Sequence, residues 1–376
     1  MKRILWAFLL PAFFAGCRLA KPGDPIARVF DRYVGAGHVA GVVSAISGPD
    51  YETRFDCAGY ADLENRIPMR PDTLFAIFSM TKTLTGAAIL IAMDEGRLSL
   101  DDRVSRYLPE FATMSTKEGP LARELTIRDL MTHMTGSRNG GDYIGRPGEL
   151  REIARAFAAE PLAHQPGAGF AYGNLWIDSA AAALEVAVGM PYPEYLQTRV
   201  LDPLGMKDTT FWPTEEQLAR LVKAYTTDAD RVRPASDGCA ERIRFPKPAK
   251  SCPAPSGGLF STAADMIRFS QMLAHHGEWK GRQIISRRTF DEFMAKKQTP
   301  PEIFEPYSTG AWIWGDWLGH EGAMRTDERA NLRTGHSRVF MIQTENRAGK
   351  AFHQLKNEWH AACDELQGTP ATVFGT

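Results

Sequence analysis

The sequence has no surplus of charge of either sign: 44 Lys and Arg stand against 45 Asp and Glu, a formal net charge of −1. A protein built to grip phosphate backbones needs a basic excess, so nucleic acid is excluded as its main partner. Long apolar runs are scarce too. The one extended stretch, from Ile4 to Phe14, is too short to cross a bilayer as a helix, which excludes a polytopic membrane protein. Internal repeats and low-complexity tracts are missing. The five cysteines include no Cys-x-x-Cys pair and no His/Cys cluster with metal-ligand spacing, which points to no metal site; no organic cofactor is implied either. What remains is ordinary globular chemistry, 44% hydrophobic and 10% aromatic, which excludes intrinsic disorder. A chain of 376 residues accommodates one large domain or two modest ones.

The first residues form an address. Lys2 and Arg3 precede the apolar run, and Phe14-Ala15-Gly16-Cys17 follows it. The pattern resembles a bacterial lipobox, with Phe14 where Leu is usual. It predicts a signal peptide over 1–16, lipidation of Cys17 and a Pro- and Gly-containing tether over 17–24. The protein is then expected in the bacterial cell envelope, held on a membrane by its lipid, with the periplasm or outer membrane preferred because Arg18 is not the Asp of an inner-membrane retention signal. The alternative is an ordinary secretory signal with an incidental cysteine. In an oxidising compartment Cys57, Cys239, Cys252 and Cys363 are able to pair. Cys239 and Cys252 flank a Pro-rich loop and are candidates for a bridge, and free buried thiols are the other reading.

Hydrophobic periodicity gives the organisation. Gly41 to Ser47 and Tyr51 to Tyr60 read as strands around the turn Gly48-Pro49-Asp50. Met80 to Glu95 reads as a helix, as do Leu150 to Ala159, Asn174 to Val188, and a segment capped by Ser261 or Thr262 that runs to His275. Thr126 caps a short helix through Met134, and Thr214-x-x-Gln217 resembles a capping box before a helix over Leu218 to Ala224. Ala311 to Leu318 and Arg338 to Thr344 return to strand character, and Phe352 to Leu366 is an amphipathic helix. Strands at both ends with helices between predict an α/β (α+β) fold. It is an antiparallel sheet flanked by helices, built from both chain ends, with an all-helical lobe inserted over about 81–235.

Three short motifs carry chemistry. Ser79-Met80-Thr81-Lys82 stands where a loop enters an apolar helix, so the Lys82 amine reaches the Ser79 hydroxyl from one turn away. Burial and the helix dipole disfavour a cation there, and a neutral amine is a usable base. The bland alternative is a Ser N-cap and a solvated Lys. Tyr172-Gly173-Asn174 offers a phenol able to relay a proton and an amide able to hold a substrate, or else a core Tyr and an N-cap Asn. Gly319-His320-Glu321-Gly322-Ala323 follows a Trp-rich strand, and its glycines permit the close backbone approach an oxyanion hole requires. The similar His275-x-Gly277 reads as a helix C-cap, and Arg333-Thr334-Gly335 as a hairpin turn.

In this order and spacing, the motifs resemble those of the serine β-lactamase and penicillin-binding-protein superfamily, in its class C-like branch with esterases and D-peptidases. Further blocks agree, among them Leu130-Met131-Thr132-His133-Met134-Thr135-Gly136 and Gly257-Gly258-Leu259-Phe260-Ser261-Thr262. The likeness covers 25–345, leaving a C-terminal helix and tail over 346–376. It implies a serine hydrolase acting on a small-molecule acyl substrate. Ser79 is then the acylated nucleophile, Lys82 and Tyr172 one coupled proton-transfer unit, and Asn174 a substrate contact. The N–H groups of Ser79 and Ala323 form the oxyanion hole beside Gly322. The oligomeric state is open.

One departure matters. His320-Glu321-Gly322 stands where the family usually has Lys-Thr-Gly, whose cation resembles a carboxylate clamp. A His is a weaker, pH-dependent cation, so uncharged esters or amides are expected ahead of β-lactams and D-alanyl peptides. Arg325 and Arg329 are able to substitute only if they face the cleft. A non-catalytic binding protein on the same fold is the alternative from another class. His133 and Asp129, four apart on a helix, read as structural. Trp312, Trp314 and Trp317 read equally as pocket lining or core.

Overall fold

The computed structural model describes residues 23–138, 148–228, 231–235, 251–345 and 350–369. The lipobox with Cys17, Cys239 and the tail after 369 lie outside them. Helix α1, Pro25–Val34, opens the described chain, with Asp24 accepting from the N–H groups of Ile26 and Ala27 as its N-cap. Strands β1 (Gly41–Ser47) and β2 (Thr53–Asp62) form a hairpin, followed by the short β3 (Ile67–Pro68). Helix α2 (Thr81–Asp94) then enters the centre of the protein, preceded by a 3₁₀ turn over Phe78–Met80.

The middle comprises α3 (Ile127–Met131), α4 (Leu150–Ala158), α5 (Leu175–Val188) and, after shorter turns, α6 (Ala263–Ala274). The expected lobe over 81–235 is not all-helical: Ser115–Thr116 pairs with Gly119–Pro120, and Tyr225–Asp228 with Arg231–Pro234. The chain returns to sheet in β4 (Trp312–Trp314), β5 (Trp317–Glu321), β6 (Asp327–Asn331) and β7 (Ser337–Met341), and ends in α7 (Lys350–Gln367). The seven strands form one antiparallel sheet in the order β4-β5-β6-β7-β1-β2-β3. Its centre joins β7 to β1, so the two ends of the chain meet there, as expected.

Helices cover both faces of this sheet. On one side α1 and α7 pack through Ile26, Phe30, Phe352, Leu355 and Trp359 against Val42, Phe340 and Ile342. On the other, α2, α5 and α6 belong to the main core with Val43, Ala45, Val339 and Met341. Adjacent residues of β1 and β7 thus alternate between two cores, the period-two rule for a sheet buried on both sides. Helix α2 is buried all round, which explains its nearly uncharged sequence.

Several expectations shift. The run 311–318 is a hairpin, turned at Gly315 and Asp316, rather than one strand. The Thr214–Gln217 capping box exists, but the helix it caps is Glu215–Leu218, since Leu221 leaves to form a bridge with Leu74. Helix α1 and strand β6 were not expected. Cys252 and Cys363 are free and buried, and Cys57 is disulfide-bonded, so the bridge between Cys239 and Cys252 does not form.

Candidate active site

The segment before α2 is bent to present Ser79. Phe78 has φ 44°, a left-handed conformation costly for a residue with a side chain. Packing holds it there: the Phe78 ring is buried with Leu74, Ala76, Phe260 and Met324. Ser79 is half-buried and caps nothing; the helix N-cap is Met80, without a side-chain bond. The bland reading of Ser79 as an N-cap therefore fails.

Lys82, the second residue of α2, is fully buried. A buried amine is costly unless its hydrogen-bonding directions are filled. Nζ lies 2.7 Å from the Ser256 carbonyl, 2.8 Å from Asn174 Oδ1 and 3.2 Å from Ser79 Oγ. Two of these partners are carbonyl oxygens and only accept. Lys82 therefore donates to both, and its remaining tetrahedral direction points at the Ser79 hydroxyl, where a proton can sit on either atom. Asn174 precedes α5, yet its side chain makes no capping bond; it is spent on Lys82.

Tyr172 is 41% exposed, so it is not a core residue. Its ring faces Lys82, with Nζ 4.8 Å from the ring centroid. Its hydroxyl is 3.3 Å from His320 Nε2 and makes no hydrogen bond to Ser79. The motifs thus converge, but the phenol does not bond the serine: Lys82 lies between them, bonded to Ser79 Oγ and facing the Tyr172 ring.

His320 is almost fully buried on β5. Its Nδ1 is 2.7 Å from the Glu321 carbonyl, which only accepts, so the ring proton is on Nδ1 and Nε2 accepts from Tyr172. Burial, with Lys82 nearby, pushes its pKa down to about 3. The expected weak cation is therefore a neutral imidazole at physiological pH. No replacement cation comes from the neighbouring arginines. Arg329 is buried on the other face of the sheet, paired with Asp327 and Glu321, and Arg325 stacks over Phe352 of α7.

Gly322 lets β5 close against the Ser79 turn: a Cβ there would fall 2.4 Å from the Ile77 carbonyl. The next residue, Ala323, is exposed, and its N–H has no acceptor among the described residues. Gly310, at φ 82°, makes a second close approach, to the Lys82 carbonyl.

The structure resolves two open readings and adds Glu328, which the sequence reading missed. His133 does not pair with Asp129, which caps α3 and binds Arg123. Instead its buried ring packs 4.5 Å from that of Tyr172, and Nδ1 accepts from Trp176. Trp312 lies parallel to Tyr172 at 6.3 Å, whereas Trp314 and Trp317 sit under Arg329 and Arg338, away from the site. Glu328, opposite His320 on β6, is buried beneath α2, and burial raises its pKa to about 8. Thr83 Oγ1 bonds both the Met80 carbonyl and Glu328. Its single hydrogen goes to the carbonyl, so a protonated Glu328 supplies the other.

Among the described residues no cluster of His, Cys, Asp or Glu is placed to hold a metal ion. A cavity of about 450 Å³ opens over the β1–β2 turn, lined by Asp50, Arg54 and His336 among others, and includes none of the candidate residues.

Known proteins resemble this chain in sequence and in fold. The family model described as Beta-lactamase matches residues 26–362. The chain is 31% identical to esterase EstB of Burkholderia gladioli over 267 residues, 64% of this chain and 67% of that one. It is 29% identical to the D-alanyl-D-alanine-carboxypeptidase/endopeptidase AmpH of Escherichia coli over 279 residues, 71% of this chain and 67% of that one. The matched segments thus span only about two thirds of the curated relatives' length, 66% for the mycobacterial ones. Simvastatin synthase LovD from Aspergillus terreus has the same fold, with a TM-score of 0.77 at 21% identity over 93% of this chain and 99% of that one. The chain belongs to the β-lactamase family of serine hydrolases.

Proposed function

We propose that the protein is an esterase that works through an acyl-enzyme on Ser79 and prefers uncharged esters. The environment of Lys82 supports this most directly: two obligate acceptors fix the amine, and its third direction faces the Ser79 hydroxyl. Ser79 Oγ attacks the ester carbonyl while its proton passes to the Lys82–Tyr172 unit. The oxyanion that forms is met by the N–H groups of Ala323 and Ser79, each worth about 3 kcal/mol in the transition state. The bond to the alcohol oxygen breaks, and the proton leaves with it. Water then adds to the acyl-enzyme, releasing the acid and returning the proton to Ser79. Asn174, with Oδ1 committed to Lys82, keeps its amide N–H groups for the substrate.

The preference for uncharged substrates rests on His320. A neutral imidazole offers no charge to a substrate carboxylate, and neither Arg325 nor Arg329 faces the site. A second reading, a β-lactamase or D-alanyl-type carboxypeptidase, is favoured by the similarity to AmpH. A short-chain nitrophenyl ester and a chromogenic cephalosporin, assayed side by side, separate the two. Ester turnover at least ~100-fold above cephalosporin turnover is expected, about 2.7 kcal/mol of discrimination. Faster cephalosporin turnover would replace the esterase reading with the second one.

We also propose lipid attachment at Cys17, from the lipobox-like sequence, and 25–345 as the hydrolase domain with 81–235 as its helical lobe. Cys17→Ala should move the protein from the membrane to the soluble fraction. Unchanged fractionation would remove the anchor.

A further inference from the structure

We infer that Asp178 is a positioning residue for Lys82, acting through the backbone of Ser256; this rests on reading Ser79 and Lys82 as the reacting pair. Asp178 lies in the Ala-rich run of α5, where packing alone calls for an apolar side chain. It is 1% exposed. A carboxylate so placed costs several kcal/mol unless it is tied down. It lies one helical turn beyond Asn174, so both side chains leave the same face of α5. Asn174 reaches Lys82 directly, at 2.8 Å. Asp178 reaches it at one remove: Oδ1 accepts the Ser256 N–H at 2.8 Å, and the carbonyl of the same residue accepts from Lys82 at 2.7 Å.

That carbonyl belongs to a loop, and a loop carbonyl has no ladder to hold its direction. A turn whose Ala254 carbonyl accepts from Gly257 and Gly258 shapes the loop, and two side chains tie that turn to the helices. Asp178 grips residue 256 from α5, and Thr85 Oγ1 of α2 lies 2.6 Å from the neighbouring Pro255 carbonyl. If the loop slackens, Lys82 loses one of the two acceptors that fix its amine, and the direction toward Ser79 is no longer set. Substrate is held by other groups, so the loss should fall on acylation and not on binding.

The test compares Asp178→Ala, Asp178→Asn and Thr85→Val with wild type. Readouts are kcat and KM on a nitrophenyl ester, the rate of labelling by an active-serine phosphonate, and thermal melting to establish folding. Asp178→Ala should lose ~10–100-fold in kcat and labelling rate with KM within about twofold, the size of effect a misplaced catalytic group produces. Asp178→Asn, whose amide oxygen can still accept the Ser256 N–H, should return to within about fivefold of wild type. Thr85→Val loosens the same loop from the other side and should lose about 3–10-fold in kcat alone. It decides the matter if Asp178→Ala does not fold. A folded Asp178→Ala with wild-type kcat would overturn the inference. So would Asp178→Asn no better than Asp178→Ala, or a Thr85→Val of normal kcat where it alone decides. If wild type itself is not labelled at Ser79, the proposed function fails; if it is labelled and the variants match it, only the role of Asp178 fails.

Discussion

Tyr172 donates its hydroxyl proton to Nε2 of His320. The direction of that bond sets the electrostatics of the site. A Lys at position 320 would donate to the phenol and place a positive charge beside it. His320, its own proton committed to the Glu321 carbonyl, only accepts and adds no charge. The family's third motif is thus kept in shape but loses its charge.

His320→Lys should restore a cation at this point. The ratio of cephalosporin to neutral ester turnover is expected to rise about tenfold, equivalent to roughly 1.4 kcal/mol of added attraction for the anion. A ratio that stays put in a folded variant would show that something other than the missing charge selects the substrate.

The same imidazole predicts an acid-labile fold. Its pKa is about 3 in the protein, against 6.5 when unfolded. Between those values the unfolded chain binds the extra proton, so stability contributed by the neutral ring is complete above 6.5 and is lost as the pH falls toward 3. Between pH 6.5 and 4.5 the wild type should lose about 2–3 kcal/mol more than His320→Gln, as read from urea midpoints. Equal losses would mean that the ring is charged in the folded protein. By the same logic kcat/KM should have no limb from His320 between pH 5 and 8.

Glu328 predicts the opposite slope. Its folded pKa is about 8 against an ordinary 4.5, so the native state holds a proton that the unfolded chain has released. Stability from this group is complete below 4.5 and is lost as the pH rises through 8. Glu328→Gln keeps a donor for Thr83 and should remove an alkaline loss on the order of 3 kcal/mol between pH 5 and 8. A variant as sensitive as wild type over that range would contradict a protonated Glu328. Because Thr83 holds the Met80 carbonyl next to Ser79, the ester rate should follow stability above pH 8.

Much of this was legible in the sequence, for physical reasons. The first strand, helix α2 and helix α5 are set by long apolar runs, with Gly96 and Gly189 ending the two helices, and β1 falls on the expected Gly41–Ser47. The approach of Lys82 to Ser79 was legible because their spacing is local, whereas the bond from Lys82 to Asn174 depends on tertiary packing. Strand β6, Asp327-Glu328-Arg329-Ala330-Asn331, was illegible because a buried strand was sought by apolar character. Its charges are neutralised by pairing with each other and with Glu321 and Lys356, or by protonation of Glu328. Helix α1 was legible in principle: Asp24 is its N-cap, Pro25 opens it, and Ile26, Val29, Phe30 and Tyr33 form one apolar face that packs on the sheet and on α7. The partner of Tyr172 was hidden for another reason. Which atom a hydroxyl bonds depends on the ring proton of a residue 148 positions away, and sequence spacing does not reveal that.

The central claim is that Ser79 is the atom acylated, and intact-protein mass spectrometry after brief exposure to an active-serine phosphonate tests it most directly. Wild type should gain one adduct, located by peptide mapping to the segment containing Ser79, and Ser79→Ala should gain none while losing at least about 10⁴-fold in ester turnover. A folded wild type that takes up no adduct, or an adduct and turnover that survive in Ser79→Ala, would contradict the account.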